Sequence, residues 1–229
     1  QNVDRQGAKV RPARTGPLAM IYNALTEPEW ITDEATLAKL YGAPRQAAVV
    51  KVASHITDDY AAWINASPFF ALASAGPEGL DCSPRGAAGS AVDILTPTTL
   101  AIPDRRGNIR IDTLRNVVRD PRVALMFLIP GSGTVLRVNG IAKLTADETW
   151  CVRYAVDGTL PRSVMVIAVR EVYFQCSRAV MRSALWKGGH TDPATLPSVG
   201  AILERMSARE IDGEAYDQEW PTRAAATLW

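Results

Sequence analysis

The chain has 229 residues, 47% of them hydrophobic and 21% charged, with a formal net charge of +1. That is apolar material for one sizeable core, with or without appended helices, and it lacks the basic excess of a domain that binds nucleic acid through overall charge. No apolar run approaches the ~18 residues of a membrane-spanning helix, so neither nucleic acid nor membrane is an expected partner.

Residues 1–30 are polar and dotted with proline. They begin with Gln, lack the apolar core of a signal peptide and are expected to form a flexible segment. DEATLAKLYG (33–42) suits a short helix closed by Gly42. Residues 45–65 carry apolar positions at helical spacing, from Val49 through Ile64, and Thr57 offers an N-cap that would split them into two helices. From Pro68 the texture changes. PFFALAS (68–74), the turn AGPEG and LDCS (80–83) read as a hairpin, and SAVDIL (90–95) with TLAIP (99–103) reads as another. RVALMFLIP (122–130), TVLRVNGIAKLT (134–145), with a bulge expected at Gly140, and SVMVIAVREVYFQC (163–176) are further strands. Helices are expected over 109–119, over about 146–158 and after 178. Six or seven strands joined mostly by turns predict an antiparallel barrel core with helices around it. The expected organisation is a barrel with flanking helices over 31–190 and a C-terminal helical extension over 191–229. The last stretch, EIDGEAYDQEWPTRAAATLW (210–229), is acidic and then apolar; it either crosses onto a partner or covers a site.

The strongest local signal is PDRRGNIRIDTLRNVVRDPR (103–122), with six arginines and three aspartates in a nearly neutral chain. A strand ends at Pro103, Gly107 can take a positive φ, and Asn108 is a candidate N-cap. Ile111, Leu114 and Val118 fall on one helical face, and Asp120 before Pro121 favours a stop. The unit is therefore strand, basic loop, short helix, strand. A helix N-terminus attracts anions, and the planar fork of arginine suits phosphate oxygens. Arg105, Arg106 and Arg110 stand at that opening, whereas Arg115 and Arg119 are expected to face water. The clustering suits a phosphate monoester better than a duplex, which Asp104 and Asp112 would repel. Neither GxGxxG nor a Walker motif is present.

Cys82, Cys151 and Cys176 are widely spaced with no CxxC, which fits a reduced, cytoplasmic protein. The histidines, His55 and His190, are too few to anchor a zinc site, and no metal is expected. His55 is expected on a helix face and His190 in a surface loop.

The ordered set SPRG (83–86), LAIPDRRGNIRIDTLRN (100–116), DPRVALMFLIPG (120–131) and LRVNG (136–140) resembles the FMN-binding split β-barrel proteins related to pyridoxamine 5′-phosphate oxidase. The likeness is to a bacterial branch of FMN-dependent enzymes without an assigned substrate, and it covers roughly residues 40–190. It implies an α+β, mainly β fold: a six-stranded antiparallel split barrel with flanking helices, working as a homodimer with FMN at the subunit interface. It also implies FMN contacts from Ser83, Pro84, Arg85 and Gly86 on one hairpin. Further contacts come from Ile102, Pro103, Arg105, Asn108 and Arg110, with Asp112 and Asn116 beside them. Arg105 and Arg110 are assigned to the phosphate. Arg137 and the segment from Arg182 to Trp186 would approach the flavin across the interface.

The implied activity is FMN-dependent oxidation or reduction of a small organic molecule, with aromatic and nitrogen-heterocyclic compounds as candidates. A flavin or deazaflavin reductase and a non-catalytic flavin-binding protein remain as alternatives. The vitamin-phosphate-binding C-terminal motifs of true pyridoxamine phosphate oxidases are not matched; LWKGGHTDPATLPSVGAILERMS (185–207) stands in their place, read as a loop and a helix.

Overall fold

The computed structural model describes residues 29–189 and 191–227. The expectations for residues 1–28 and for His190 lie outside the described residues. The chain divides into two units, Gln1–Arg45 and Gln46–Trp229. In the first, helix α1 (Glu34–Tyr41) is capped by Asp33, which accepts from the Thr36 amide at 2.8 Å. It ends where the Gly42 amide reaches back to the Ala38 carbonyl, with a φ of +67° that glycine adopts without penalty. This is the helix and the stop that the sequence predicts.

The second unit opens with α2 (Gln46–Val50) and α3 (Asp58–Asn65). Thr57 divides them as expected, its hydroxyl accepting from the Tyr60 amide at 3.3 Å. His55 is exposed in the bend between the two helices rather than on a helix face. Seven strands follow: β1 (Phe69–Gly76), β2 (Gly79–Gly86), β3 (Asp93–Thr96), β4 (Thr99–Pro103), β5 (Arg122–Leu128), β6 (Val135–Thr145) and β7 (Val164–Gln175). Helix α4 (Asp112–Arg119) joins β4 to β5, and α5 (Glu148–Arg153) joins β6 to β7. After β7 come α6 (Arg178–Arg182), α7 (Val199–Met206) and α8 (Gly213–Ala225). No helix among the described residues is long and apolar enough to cross a membrane.

The strands form one sheet in the order β2-β1-β5-β6-β7-β4-β3, every neighbour antiparallel. The mixed, mainly antiparallel architecture matches the expectation. The seven strands paired among the described residues fall within the six or seven read from the apolar runs and exceed the six that the resemblance implies; the edge strands β2 and β3 share no ladder, so the sheet is open where a barrel was expected. The short β3, read in the sequence as part of SAVDIL (90–95), forms the expected hairpin with β4 and ends the sheet as an edge rather than closing a ring. Pro84 sits in edge strand β2, where a missing amide is tolerated.

The core lies on the inner face. Phe70 and Leu72 on β1 meet Val123, Leu125 and Phe127 on β5, with Leu100, Val138, Ile167 and Val172 completing it. Phe70 and Phe127 are register partners, their ring centroids 5.2 Å apart. Ile64 of α3 and Val117 of α4 join the same cluster. The β6–β7 register shifts between Asn139 and Gly140, the bulge that the glycine predicts. A Cβ on Gly140 would stand 2.6 Å from Ile167 Cγ2 and 2.7 Å from the Ala168 carbonyl oxygen, so only glycine fits.

Gly140→Ala is expected to lower stability by about 1–3 kcal/mol through overpacking against β7. A chemical-denaturation midpoint equal to that of wild type would contradict this.

Candidate cofactor site

The sheet is strongly curled. Laid flat, β2 and β4 would stand roughly 24 Å apart, five strand spacings. Yet Arg85 on β2 donates to Asp104, the residue after β4, at 2.9 Å. The curl brings both sides of the open seam together and leaves a cleft of ≈ 1260 Å³ between them. Its walls are β2, the end of β4, the loop 104–111 and the start of α4, with contributions from Tyr154, Arg162 and Trp220.

The loop departs from the expected helix start. Helix α4 begins at Asp112, and its N-cap position is Ile111, at φ +51° and without a side-chain cap. Asn108 instead accepts from the Arg110 amide at 3.1 Å, an Asx turn within the loop. The positive φ falls on Ile109 and Ile111 rather than on Gly107. Two β-branched residues in the left-handed region flank Arg110, a costly arrangement of the kind that clusters at functional sites.

The helix also docks on a different face. Thr113, Asn116 and Val117 are buried, whereas Val118 is 76% exposed and Ile111 is 42% exposed. Val117 enters the core cluster and Leu114 packs against it, and polar contacts add to these: the Thr113 hydroxyl donates to Asp81, and Asn116 Nδ2 donates to Ser74 Oγ at 3.1 Å. Asn116 fits because Gly76 has no Cβ; one there would stand 2.2 Å from Asn116 Oδ1.

Charge in the cleft is unbalanced by pairing. Arg85 pairs with Asp104, Arg110 with Asp112, and Asp93 with Arg153 and the Tyr154 hydroxyl. Arg105, Arg106 and Arg162 line the cleft with no carboxylate partner among the described residues. Arg105 donates at 2.8 Å to the carbonyl of Tyr154, the C-cap of α5, where the helix presents its negative end. Burial lowers the pKa of Arg105, so an anion beside it would offset a desolvation already incurred. Arg85 Nε is buried and lacks a hydrogen-bond partner. The first-turn amides of α4 have no side-chain cap, which leaves donors for an anion.

Ser83, Pro84, Arg85, Gly86, Ile102, Pro103, Arg105, Asn108, Arg110 and Asp112 all line this cleft. Asn116 lies outside it, tying α4 to β1. Arg137, Arg182 and Trp186 do not line it either. Arg137 stacks 5.2 Å from the Tyr173 ring centroid, Trp186 Nε1 donates to the Ser132 carbonyl at 2.7 Å, and Arg182 is exposed at the end of α6. Arg115 is exposed as expected, while Arg119 pairs with Glu78 at the surface. Sequence reasoning missed Tyr154, Arg162 and Trp220 as wall residues. No motif marks the first two, and only the composition of 210–229 hinted at a cover.

A family model described as pyridoxamine 5′-phosphate oxidase matches residues 56–176, a span that holds every strand among the described residues and the arginine loop. The chain belongs to the pyridoxamine 5′-phosphate oxidase family. That family is generally flavin-binding; it includes FMN-dependent oxidases and also non-catalytic members. No curated protein matches the chain. Among solved structures, HupZ of Group A Streptococcus is similar over 60% of this chain and 99% of its own, at 16% identity and a TM-score of 0.41. General Stress Protein 26 of Bacillus anthracis is similar over 50% of this chain and 88% of its own, at 13% identity and a TM-score of 0.36. A Clostridium acetobutylicum protein related to general stress protein 26, of the pyridoxinephosphate oxidase family, is similar over 52% of this chain and 86% of its own, at 8% identity and a TM-score of 0.38.

Tyr154 links the cleft to α5. Burial first, then its hydrogen bond to Asp93, pushes its phenol up to about 12. The raised value means that this contribution to stability is complete below the ordinary tyrosine pKa of ~10 and is lost as pH rises from there through about 12. An ultraviolet phenolate titration is expected to show a late component near pH 12 that Tyr154→Phe removes; an unchanged titration curve would contradict the assignment.

Proposed function

We propose that the protein is an FMN-dependent oxidoreductase acting on a small organic molecule, with FMN seated in the cleft between β2 and the loop after β4. The observation that carries this reading is the gathering, in one cleft, of arginines that no carboxylate neutralises, a buried Arg85 Nε without a partner and the uncapped start of α4. That donor set fits a flavin phosphate monoester joined to a ring system rich in acceptors. When bound, FMN supplies hydride or electron transfer, so the site needs no catalytic triad.

The residues of the chain divide the work of binding. Arg105, held by the Tyr154 carbonyl, and Arg110, at the rim beside Asp112, receive the phosphate with the first-turn amides of α4. Arg85, fixed by Asp104, offers its unmet N–H to an acceptor on the ring edge. A cation there would stabilise negative charge developing on the reduced ring. Ile102 and Pro103 at the end of β4 supply apolar contact. Assembly as a homodimer, with Arg137, Arg182 and Trp186 presented to the partner's flavin, belongs to the same proposal.

Flavin-fluorescence quenching tests the phosphate seat. Arg105→Ala is expected to weaken FMN binding roughly 10- to 100-fold, as for loss of a charge-assisted hydrogen bond. Riboflavin, which has no phosphate, should change less than about threefold, since no charge-assisted bond is lost. Equal losses for both ligands, or wild-type protein that takes up neither, would sink the reading.

A further inference from the structure

The cleft has one wall that lies outside the matched family span. Trp220 lines it from α8, forty-four residues beyond the end of the match at Cys176. Trp220 is 51% exposed, so much of its indole is free for contact. The ring is held in place by its own helix. Tyr216, Trp220 and Arg223 share one face at i, i+4 and i+7. The Tyr216 and Trp220 rings are stacked with an interplanar angle of 8° and centroids 6.1 Å apart. The Arg223 guanidinium caps both, 4.9 Å from Tyr216 and 5.4 Å from Trp220. This array limits the freedom of the indole before any ligand arrives.

The helix itself is anchored to α7. Gly200 of α7 and Gly213 of α8 meet so closely that a Cβ on Gly200 would stand 1.9 Å from the Gly213 carbonyl oxygen. The Gly200 amide donates to Asp217 Oδ1 at 2.8 Å. Gly213 and Asp217 stand seven and three residues before Trp220, so the contact with α7 lies on the same side of α8 as the indole and holds the turns that carry it. The volume of the cleft, ≈ 1260 Å³, exceeds the ~300–1,000 Å³ of ordinary single-ligand pockets. There is room for a second planar molecule beside a bound cofactor.

We infer that Trp220 is a specificity-determining residue, an aromatic wall against which a planar aromatic or heteroaromatic substrate stacks. The inference rests on the proposed FMN seat for the identity of the site, but Trp220 recognises the ring of the second molecule and not the cofactor phosphate. A saturated molecule of the same size would fill the space without the stacking contact, so the wall selects flat conjugated rings.

Calorimetric titration with quinoline, and with decahydroquinoline as its saturated counterpart, tests this on the FMN-loaded and FMN-free protein without any turnover. Quinoline should bind wild type more tightly than decahydroquinoline. Trp220→Ala should weaken quinoline about tenfold, Trp220→Phe less than about threefold, and FMN affinity should stay within about twofold. Three results would overturn the inference: no quinoline binding to wild type, unchanged quinoline affinity in Trp220→Ala, or an equal loss of FMN and quinoline, which would make Trp220 a cofactor or scaffold residue. Failure of the FMN seat is read separately, by absence of FMN uptake in wild type. Quinoline binding to FMN-free protein then still decides the role of Trp220.

Discussion

The ion pair between Arg85 and Asp104 is the constraint on which the site depends. It joins an edge strand to the loop after a strand five places away in the sheet. Both side chains are about one-fifth exposed, so each gives up part of its hydration to make the bond. A pair of this kind adds little net stability, because desolvation offsets most of the Coulomb attraction. Its consequence is geometric. It holds the two sides of an open seam at a fixed spacing, and the cleft is the seam. A closed barrel of the same strands would have exchanged backbone hydrogen bonds across this gap and left no room for a ligand.

The strain in the arginine loop follows from the same geometry. The chain must leave β4 at the seam, pass Asp104, and enter α4 with its N-terminus at the cleft. Ile109 and Ile111 adopt left-handed backbone to do so, at a cost of order 1–3 kcal/mol each. The ends of the loop are well fixed. Pro103 is the last paired residue of β4, against Val164 of β7. Thr113 and Asn116 tie the helix to Asp81 and Ser74. Val117 and Leu114 supply the apolar contact of this helix with the core, and the two directional bonds fix its position along it.

Local chemistry was readable in the sequence, and long-range partners were not. Thr57, Gly42 and Gly140 act through the few residues around them, so the cap, the stop and the bulge were legible. Asn108 looked like a cap because its side chain does accept a backbone amide; an Asx turn and a helix cap draw on the same capacity, and the choice between them depends on where α4 docks. Of the expected apolar face, Leu114 does pack against the core, whereas Ile111 and Val118 are exposed for the same reason. The true docking residues answer to Ser74 and Asp81, more than thirty positions away. Strand existence was legible from apolar runs, whereas closure was not, because it depends on whether two edges pair. Arg105, Arg106 and Arg110 were found because they lie in one run; Tyr154, Arg162 and Trp220 come from separate elements and share no local pattern.

The two halves of the candidate site have different structural origins. The anion seat is built from the sheet and its β4–α4 loop, all inside the span that defines the family. The aromatic wall is carried by a helical hairpin outside that span, held together by a glycine contact and by Asp217. The frame of the proposed seat rests on strands that also carry the core, from Phe70 to Leu100. On the proposed reading, what the wall accepts is set by one position of α8, Trp220. On the same reading, cofactor recognition is tied to the stability of the sheet and substrate recognition is free to vary, because Trp220 is half exposed and lies outside the core cluster.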